Sequence, residues 1–277
     1  MKKSIVWLAS YPKSGNTWTR IFIANYLTNS EKPIPINQIH RFGTGDSIAK
    51  MYHIAAGREI DVNNVQLSVN LRERVLQGIV ANNADINLVK THNIRKKTHG
   101  SELIPPKFTR SAIYIMRNPL DMAISYARHY DVAVEQAVQV VGSHENANAP
   151  TPKTVAMFLG SWSDHVRSWT NLSPYPLLVL KYEDILADPE TEFKKVLKHL
   201  DVPLDQDRLE RAIKFSSFKE LTKQEENSGF IEKSEKSDKF FSKGQSGQWK
   251  SEMSQELIDK ICTDHKQVME RYGYLDD

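Results

Sequence analysis

The sequence has a single cysteine and almost no excess of either charge. Cys262 stands alone among 277 residues, which excludes an intramolecular disulfide and a structural zinc site built from several cysteines. Lysine and arginine number 37 and aspartate and glutamate 34, for a net charge of +3. This balance is too mild to predict a nucleic-acid-binding protein, although it allows a local basic pocket. The nine histidines form no HExxH pair of the kind that binds catalytic zinc.

Long hydrophobic runs are also missing. No stretch approaches the roughly 18 consecutive apolar residues that a membrane-spanning helix needs. The apolar run after Met1-Lys2-Lys3 is short and Lys13 interrupts it, so it predicts a buried strand rather than a signal peptide. We therefore expect a cytoplasmic protein without a membrane span.

The composition supports one sizeable core. Hydrophobic residues make up 40% of the chain and charged residues 26%, and no linker or repeat divides it, so we predict a single domain over residues 1–277. Short aliphatic and β-branched runs without strict alternation are typical of buried parallel strands. They cover residues 5–10, 86–91, 112–116 and 177–181.

Helical periodicity separates these strands. Apolar stripes predict helices around residues 18–25 and 71–79, one long helix from Pro152 to Trp169, and another that begins at Pro189. Strands that alternate with helices predict an α/β fold whose central parallel sheet is flanked by helices on both faces. Residues 223–247 lack such periodicity and are interpreted as a solvated loop, a type of segment that also serves as an active-site lid.

The loop after the first strand is the most informative segment. Residues 10–18 read Ser-Tyr-Pro-Lys-Ser-Gly-Asn-Thr-Trp, between a predicted strand and a predicted helix. The free N–H groups and positive dipole end of such a helix attract an anion, and Lys13 adds a full charge. No glycine directly precedes Lys13, so the spacing of the ATP-binding loop is absent. The residues alone support a phosphate site and an ordinary turn capped by Thr17 about equally.

A second candidate phosphate site follows the strand over residues 112–116. Arg117 stands at the carboxyl end of that strand, where open α/β sheets bind ligands, and its guanidinium suits a phosphate. Asn118 and Pro119 are ordinary residues for a helix start. Two separate phosphate sites fit a bisphosphorylated nucleotide better than ATP.

In this order, the motifs resemble those of the soluble, cytosolic-type sulfotransferases, in particular the bacterial small-molecule enzymes. These use 3′-phosphoadenosine 5′-phosphosulfate (PAPS) as donor and release PAP. Residues 11–18 are similar to the family's 5′-phosphosulfate loop, with Asn16 where the family usually has threonine, and residues 117–125 resemble its 3′-phosphate motif. The resemblance runs from about residue 5 to residue 250 and implies a P-loop-like phosphate site and no metal ion.

The resemblance implies a role for each matching residue. Lys13 would contact the oxygen that bridges phosphate and sulfuryl group, and Arg117 would hold the 3′-phosphate. Ser125 would bind the same phosphate and restrain Lys13 before the acceptor arrives. The 5′-phosphate would be held by Ser14, Gly15, Asn16 and Thr17, and the adenine would be contacted by Trp18, Tyr182, Ser216 and Phe218.

Lys90-Thr91-His92 resembles the family's Lys-x-His segment, in which the histidine is the catalytic base. An acceptor hydroxyl has a pKa well above neutral, so a neutral imidazole within hydrogen-bond reach would remove its proton as the new sulfur–oxygen bond forms. Lys90 would neutralise charge on the transferring group. A purely structural histidine is the alternative interpretation.

The last motif, residues 241–250, departs from the family at two positions. Ser242 replaces an arginine and Gln248 replaces an aspartate. The resemblance implies that loss of the arginine removes a bidentate contact to the 3′-phosphate. Lys243 and the N–H of Gly244 would still bind that phosphate. The stretch after Trp249 resembles the family's dimerisation motif poorly, so a homodimer stays open.

Two other functions compete with sulfuryl transfer. A nucleotide kinase would need ATP and Mg²⁺, and a non-catalytic nucleotide- or polyanion-binding module would not need His92. The acceptor is not identified by the sequence: a phenol, a steroid-like alcohol, a lipid, a glycan or a peptide-antibiotic hydroxyl all fit, and no nucleic-acid partner is expected.

Overall fold

The computed structural model describes residues 4–234 and 237–275. Its strands are β1 (Ile5–Ser10), β2 (Thr44–Gly45), β3 (Asn87–Thr91), β4 (Lys97–Thr98), β5 (Ser101–Glu102), β6 (Thr109–Met116), β7 (Ala147–Asn148), β8 (Met157–Phe158) and β9 (Leu177–Lys181). Its α-helices are α1 (Asn16–Thr28), α2 (Ala49–Ala56), α3 (Val65–Val80), α4 (Pro119–Tyr130), α5 (Val134–Gly142), α6 (Trp162–Thr170), α7 (Tyr182–Ala187), α8 (Pro189–His199), α9 (Gln206–Phe215), α10 (Phe218–Ser228), α11 (Trp249–Glu252) and α12 (Gln255–Tyr272). A 3₁₀ helix covers Ile36–Arg41.

A five-stranded parallel sheet forms the centre of the fold, in the order β2-β3-β1-β6-β9. β1 is buried along its whole length because both of its faces are covered. In the β1–β3 pair, Ile5 lies opposite Asn87 and Ala9 opposite Thr91. The sheet confirms the predicted α/β class and its four predicted strands.

The described residues form two compact units. The first comprises residues up to 11, 43–114 and 140–179, and the second comprises 12–42, 115–139 and 180 onward. Large aromatic side chains such as Trp7 and Trp169 are fully buried in the first unit. In the second unit, the Phe22 ring of α1 stacks on the Phe193 ring of α8 at 3.8 Å between centroids. This packing explains the apolar stripes that the sequence shows on both helices.

The predicted helices near residues 18–25, 71–79 and 189–200 are confirmed as α1, α3 and α8. The predicted loop over residues 223–247 is wrong at its start, because α10 continues to Ser228, and residues 235 and 236 of it lie outside the described residues. No helix in the described part of the chain is long and apolar enough to cross a membrane.

The long helix predicted from Pro152 to Trp169 is wrong over its first ten residues. Met157–Phe158 forms β8 against β7, and Gly160 has a positive φ of 65°. The helix begins only at Trp162. Ser161 caps its N-terminus, because the Ser161 hydroxyl accepts a hydrogen bond from the Asp164 N–H (3.1 Å). The serine cap favours a helix start at this point over a helix that continues from further upstream. The residues before it form a loop, and the spacing of the buried apolar residues in that loop resembles a helical stripe.

Candidate active site

The loop between β1 and α1 has the backbone of an anion-binding turn. Lys13 and Gly15 both adopt left-handed conformations, with φ of 67° and 100°. A Cβ on Gly15 would lie 2.8 Å from Cδ2 of Tyr182, so a larger residue would be both strained and crowded. The turn therefore depends on a glycine directly before the N-terminus of α1, where the positive end of the helix dipole attracts an anion.

Two buried hydrogen-bond donors, one in this turn and one beside it, lack partners within the described residues. They are the hydroxyl of Ser14, which is 1% exposed, and Nε of Arg117, which is 6% exposed. A buried donor without a partner is costly, typically about 1–3 kcal/mol, and such groups in a native protein need an explanation. Anionic groups that accept from these donors supply one, and the residues present therefore fit phosphate groups.

Arg117 fastens the turn to the segment that carries the last sequence motif. Its Nη1 donates to the carbonyl oxygen of Lys13 (3.1 Å), and its Nη2 donates to the carbonyl oxygen of Gln245 (3.0 Å). Its guanidinium also lies over the ring of Tyr182, 4.4 Å from the centroid. The guanidinium plane is therefore held on three sides while Nε stays unpartnered.

The ammonium of Lys13 rests on an aromatic ring. Its Nζ lies 4.0 Å from the centroid of Phe240, within the range of a cation–π interaction. The buried carboxylate of Glu225 fixes this part of the chain, because it accepts from the N–H groups of Phe240 (2.7 Å) and Phe241 (2.9 Å). No sequence motif points to Phe240 or Glu225: folding brings Phe240 against Lys13, and Glu225 holds the backbone of Phe240.

The motif over residues 241–250 lies close to the ring of Phe218. A Cβ on Gly244 would sit 2.3 Å from Cδ2 of that ring, and Gly244 has a φ of 60°. The side chain of Lys243 is exposed and its Nζ pairs with Oε1 of Glu252 (2.6 Å). Gly244, predicted at the 3′-phosphate, and Phe218, predicted at the adenine, therefore lie in contact, whereas the charge of Lys243 is engaged by a carboxylate.

Two acidic residues hold the second phosphate motif in shape. The buried Asp121 accepts from the N–H groups of Gly247 (2.6 Å) and Trp249 (3.2 Å), and so anchors the start of α11. Glu183 accepts from the N–H of Asn118 (2.9 Å), directly after Arg117. Both residues stand in or beside recognised motifs, since Asp121 lies within residues 117–125 and Glu183 follows Tyr182. Their partners are distant in the sequence, so spacing alone could not predict either contact.

The residues expected at the adenine differ in whether their side chains are already engaged within the protein. The ring of Trp18 packs edge-on against Tyr182 and Phe193, with 5.8 Å between centroids in each pair. Ser216 is fully buried, and its hydroxyl donates to the carbonyl oxygens of α9 at Ala212 (2.9 Å) and residue 213 (3.2 Å). Trp18 and Tyr182 thus form one aromatic group, whereas the hydroxyl of Ser216 is committed to its own helix.

Three further predicted residues lie where the sequence places them. Asn16 and Thr17 are buried in the first turn of α1, and Ser125 is half-buried in the middle of α4.

His92 lies beside the end of β1, in the first unit. Its Nδ1 is 2.8 Å from the carbonyl oxygen of Ser10. A carbonyl oxygen can only accept, so Nδ1 carries the proton and Nε2 keeps its lone pair. Lys13 follows Ser10 by three residues in the chain.

A second histidine, His165, forms a hydrogen bond with the backbone of His92. Nε2 of the buried His165 donates to the carbonyl oxygen of His92 (3.0 Å), and its Nδ1 accepts from the hydroxyl of Tyr114 (2.8 Å). Burial, together with the charge of Lys90, lowers the pKa of His92 to about 3. Burial lowers the pKa of His165 to about 4. Both imidazoles are therefore neutral at physiological pH.

These two histidines predict a protein that mild acid destabilises. Both stay neutral in the folded chain to about pH 4, but take up a proton near pH 6.5 when unfolded. Below pH 6.5 the unfolded chain binds more protons than the folded chain. The free energy of unfolding therefore decreases as the pH is lowered, by up to about 1.4 kcal/mol per pH unit for each histidine. Urea unfolding between pH 7 and 4.5 measures this slope. His92→Gln should remove about half of it, and an unchanged slope would contradict the assignment.

No metal site is found in the part of the chain that the structure describes. Within residues 4–234 and 237–275, histidine, cysteine, aspartate and glutamate form no group of three able to hold a metal ion.

Comparisons with known proteins point in the same direction as the geometry. The family model described as a sulfotransferase domain matches residues 3–273. The chain is 24% identical to sulfotransferase 1 family member D1 of Mus musculus, over 96% of this chain and 83% of that protein. It is 27% identical to sulfotransferase 1B1 of Canis lupus familiaris, over 95% and 82%.

Solved structures share the fold. A retinol dehydratase in complex with androsterone and inactive cofactor PAP matches with a TM-score of 0.67 and 17% identity, over 97% of this chain and 81% of that one. A mouse sulfotransferase complexed with PAP matches with a TM-score of 0.62 and 19% identity, over 97% and 86%.

Proposed function

Because this chain belongs to the sulfotransferase domain family, we propose that it transfers a sulfuryl group from PAPS to a hydroxyl or amine of an acceptor. The observation that carries the choice of donor is the pair of buried, unpartnered donors at Ser14 and Arg117. They lie on two separate motifs that the guanidinium joins, as a nucleotide with phosphates at two positions requires. The P-loop-like turn lacks the glycine spacing of an ATP site, which favours PAPS over ATP.

The chain's own residues supply alignment and charge. PAPS brings a sulfuryl group that its bond to a phosphate already activates. As the acceptor oxygen bonds to sulfur, the bond from sulfur to the phosphate oxygen breaks, the acceptor proton passes to Nε2 of His92, and PAP leaves. Lys13 stabilises the charge that develops on the leaving phosphate, and Lys90 stabilises the charge on the sulfuryl oxygens.

The nucleotide is held by the residues of the second unit. Arg117, Ser125 and the N–H of Gly244 bind the 3′-phosphate, and the turn from Ser14 to Thr17 binds the 5′-phosphate. Trp18, Tyr182 and Phe218 flank the adenine; Ser216 can contribute only its backbone, since its hydroxyl is engaged. Lys243 joins the 3′-phosphate by leaving Glu252, which partly offsets the arginine that Ser242 replaces.

The acceptor is a small molecule with a hydroxyl in this proposal. The structural neighbour complexed with androsterone shows that this fold admits a steroid alcohol in another protein, and a steroid-like or phenolic hydroxyl is therefore our first choice here. A single domain, a cytoplasmic location and a homodimer stay predictions.

A transfer assay tests the proposal. The purified protein is incubated with sulfur-labelled PAPS and a panel of phenols, steroid alcohols, lipids, glycans, peptides and amines, in EDTA. Label should move to at least one acceptor with one PAP released per product. Labelling of an acceptor from ATP, with Mg²⁺ required, would instead indicate a kinase. PAP binding without transfer to any acceptor would indicate a non-catalytic module.

A further inference from the structure

A buried carboxylate brackets the histidine to which we assign the base role. Asp46 follows β2 and is 2% exposed. Its Oδ2 accepts from the hydroxyl of Thr91 (2.6 Å) and from Nδ2 of Asn93 (3.1 Å), the two neighbours of His92 in sequence. Its backbone N–H donates to the carbonyl oxygen of Lys90 (3.1 Å). One residue thus holds three of the four positions from 90 to 93, on both sides of His92.

The carboxylate is itself fixed by a buried ion pair. Nη2 of Arg72 donates to Oδ2 of Asp46 (2.6 Å), and Ser47 donates to Oδ1 (2.9 Å). Arg72 is anchored in turn through Nε to the carbonyl oxygen of Leu103 (2.6 Å). Burial opposes ionisation of Asp46, yet Arg72 and these hydrogen bonds hold its pKa below the ordinary value. The carboxylate is therefore charged and has little freedom to move.

The segment after His92 is fastened to two further elements. Oδ1 of Asn93 accepts from the N–H of Phe158 (2.9 Å), and its carbonyl oxygen accepts from Nε1 of Trp169 (3.1 Å). Side-chain hydrogen bonds, in addition to the strand pairing, therefore restrain the residues on both sides of His92. Such restraint is useful where one side chain must keep a fixed direction.

We propose that Asp46 is a positioning residue that, through Thr91 and Asn93, fixes the direction of Nε2 of His92 for proton abstraction. The inference rests on the proposed base role of His92 and adds to it a buried network that the reaction does not touch. It also explains why a charged pair is retained in the interior, where a hydrophobic pair is often no less stable.

Thr91→Val tests this network without breaking the ion pair. The change removes one donor to Asp46 and the acceptor of the Asn93 N–H (3.0 Å), but keeps volume and burial. We expect kcat to fall roughly 10-fold, with unchanged KM for PAPS and unchanged PAP affinity, because a misaligned base slows only the chemical step. Asp46→Asn should lose more activity. Because this change leaves Arg72 without a full counter-charge, its activity is interpreted only if urea unfolding shows that the variant is folded.

The matched control is Thr109→Val, another buried threonine of the same unit. Its hydroxyl accepts from Nε1 of Trp7 (2.9 Å) and donates to the carbonyl oxygen of Pro105 (2.9 Å), away from His92. This variant should lose stability and keep kcat. A normal kcat in Thr91→Val, or an equal loss of kcat in both variants, would overturn the proposal.

The double variant separates this inference from the base role itself. In a His92→Ala background, Thr91→Val should have no further effect on the residual rate, because its influence acts through the imidazole. An additional 10-fold loss would show that Asp46 acts elsewhere and would overturn the inference alone. Full turnover in His92→Ala would instead remove the base role and this inference with it.

Discussion

Replacing His92 with alanine should lower the rate of sulfuryl transfer by roughly 10²-fold or more, the usual scale for loss of a general base. The donor bond from Nδ1 to Ser10 leaves Nε2 as the basic nitrogen, and the lowered pKa keeps it unprotonated at neutral pH. None of the proposed nucleotide contacts includes His92, so PAP affinity should stay unchanged. Single-turnover rates with PAPS and calorimetric titration with PAP measure the two quantities separately.

Two variants sharpen this prediction. His92→Gln can still donate to Ser10 but cannot accept a proton at neutral pH, so it should be nearly as slow as the alanine variant. His199→Ala, at the end of α8, should leave the rate unchanged. Transfer at the normal rate in both His92 variants would assign His92 a structural role.

Replacing Arg117 with lysine should weaken PAP binding by roughly 10²-fold, the scale of losing charge-assisted, bidentate hydrogen bonds at a buried site. A lysine ammonium keeps the charge but cannot reach both Lys13 and Gln245 while also facing a phosphate. The loss should be at least about tenfold larger for PAP than for 5′-AMP, since we assign Arg117 to the 3′-phosphate. Calorimetry with both nucleotides measures the difference.

Arg208 provides a matched control for this substitution in the same unit. Its guanidinium also lies 4.4 Å from a tyrosine centroid, that of Tyr26, and donates to the carbonyl oxygens of Tyr26 and Leu27. Arg208→Lys should therefore cost similar stability without changing PAP affinity. Equal losses for PAP and 5′-AMP in Arg117→Lys would mean that the arginine only supports the turn.

The parts of the molecule that local chemistry determines could be predicted from the sequence. Strands such as Ile5–Ser10 are continuous apolar runs, and the start of α4 carries its own signals in Asn118 and Pro119. The turn at residues 13–17 was recognisable because a glycine, a lysine and hydroxyl residues stand between a strand and a helix.

The contacts that arrange the site could not be predicted in the same way. Asp46 reaches Thr91 across 45 positions, and Asp121 reaches Gly247 across 126. Spacing in the sequence carries no information about such pairs, because tertiary packing alone brings them together. The false helix from Pro152 has the same origin: periodicity reports which residues are buried, and a buried loop followed by a capped helix satisfies it as well as a helix does.

The segment that contains Ser242 also contains a lysine that a carboxylate already engages. Glu252 pairs with both Lys243 and Arg128, so the cations nearest this motif are already neutralised in part. In the proposed mode of binding, a 3′-phosphate would compete with this carboxylate for Lys243. We therefore expect nucleotide affinity to depend mainly on Arg117.

The most direct test of the central claim compares nucleotides by calorimetry. PAP, 5′-AMP and ATP are titrated into the protein, each with and without Mg²⁺. We expect PAP to bind at least about tenfold more tightly than either competitor and to be indifferent to Mg²⁺, because two separate phosphate sites favour it and its binding needs no metal ion. Tighter binding of Mg²⁺–ATP, with PAP unable to displace it, would contradict the account.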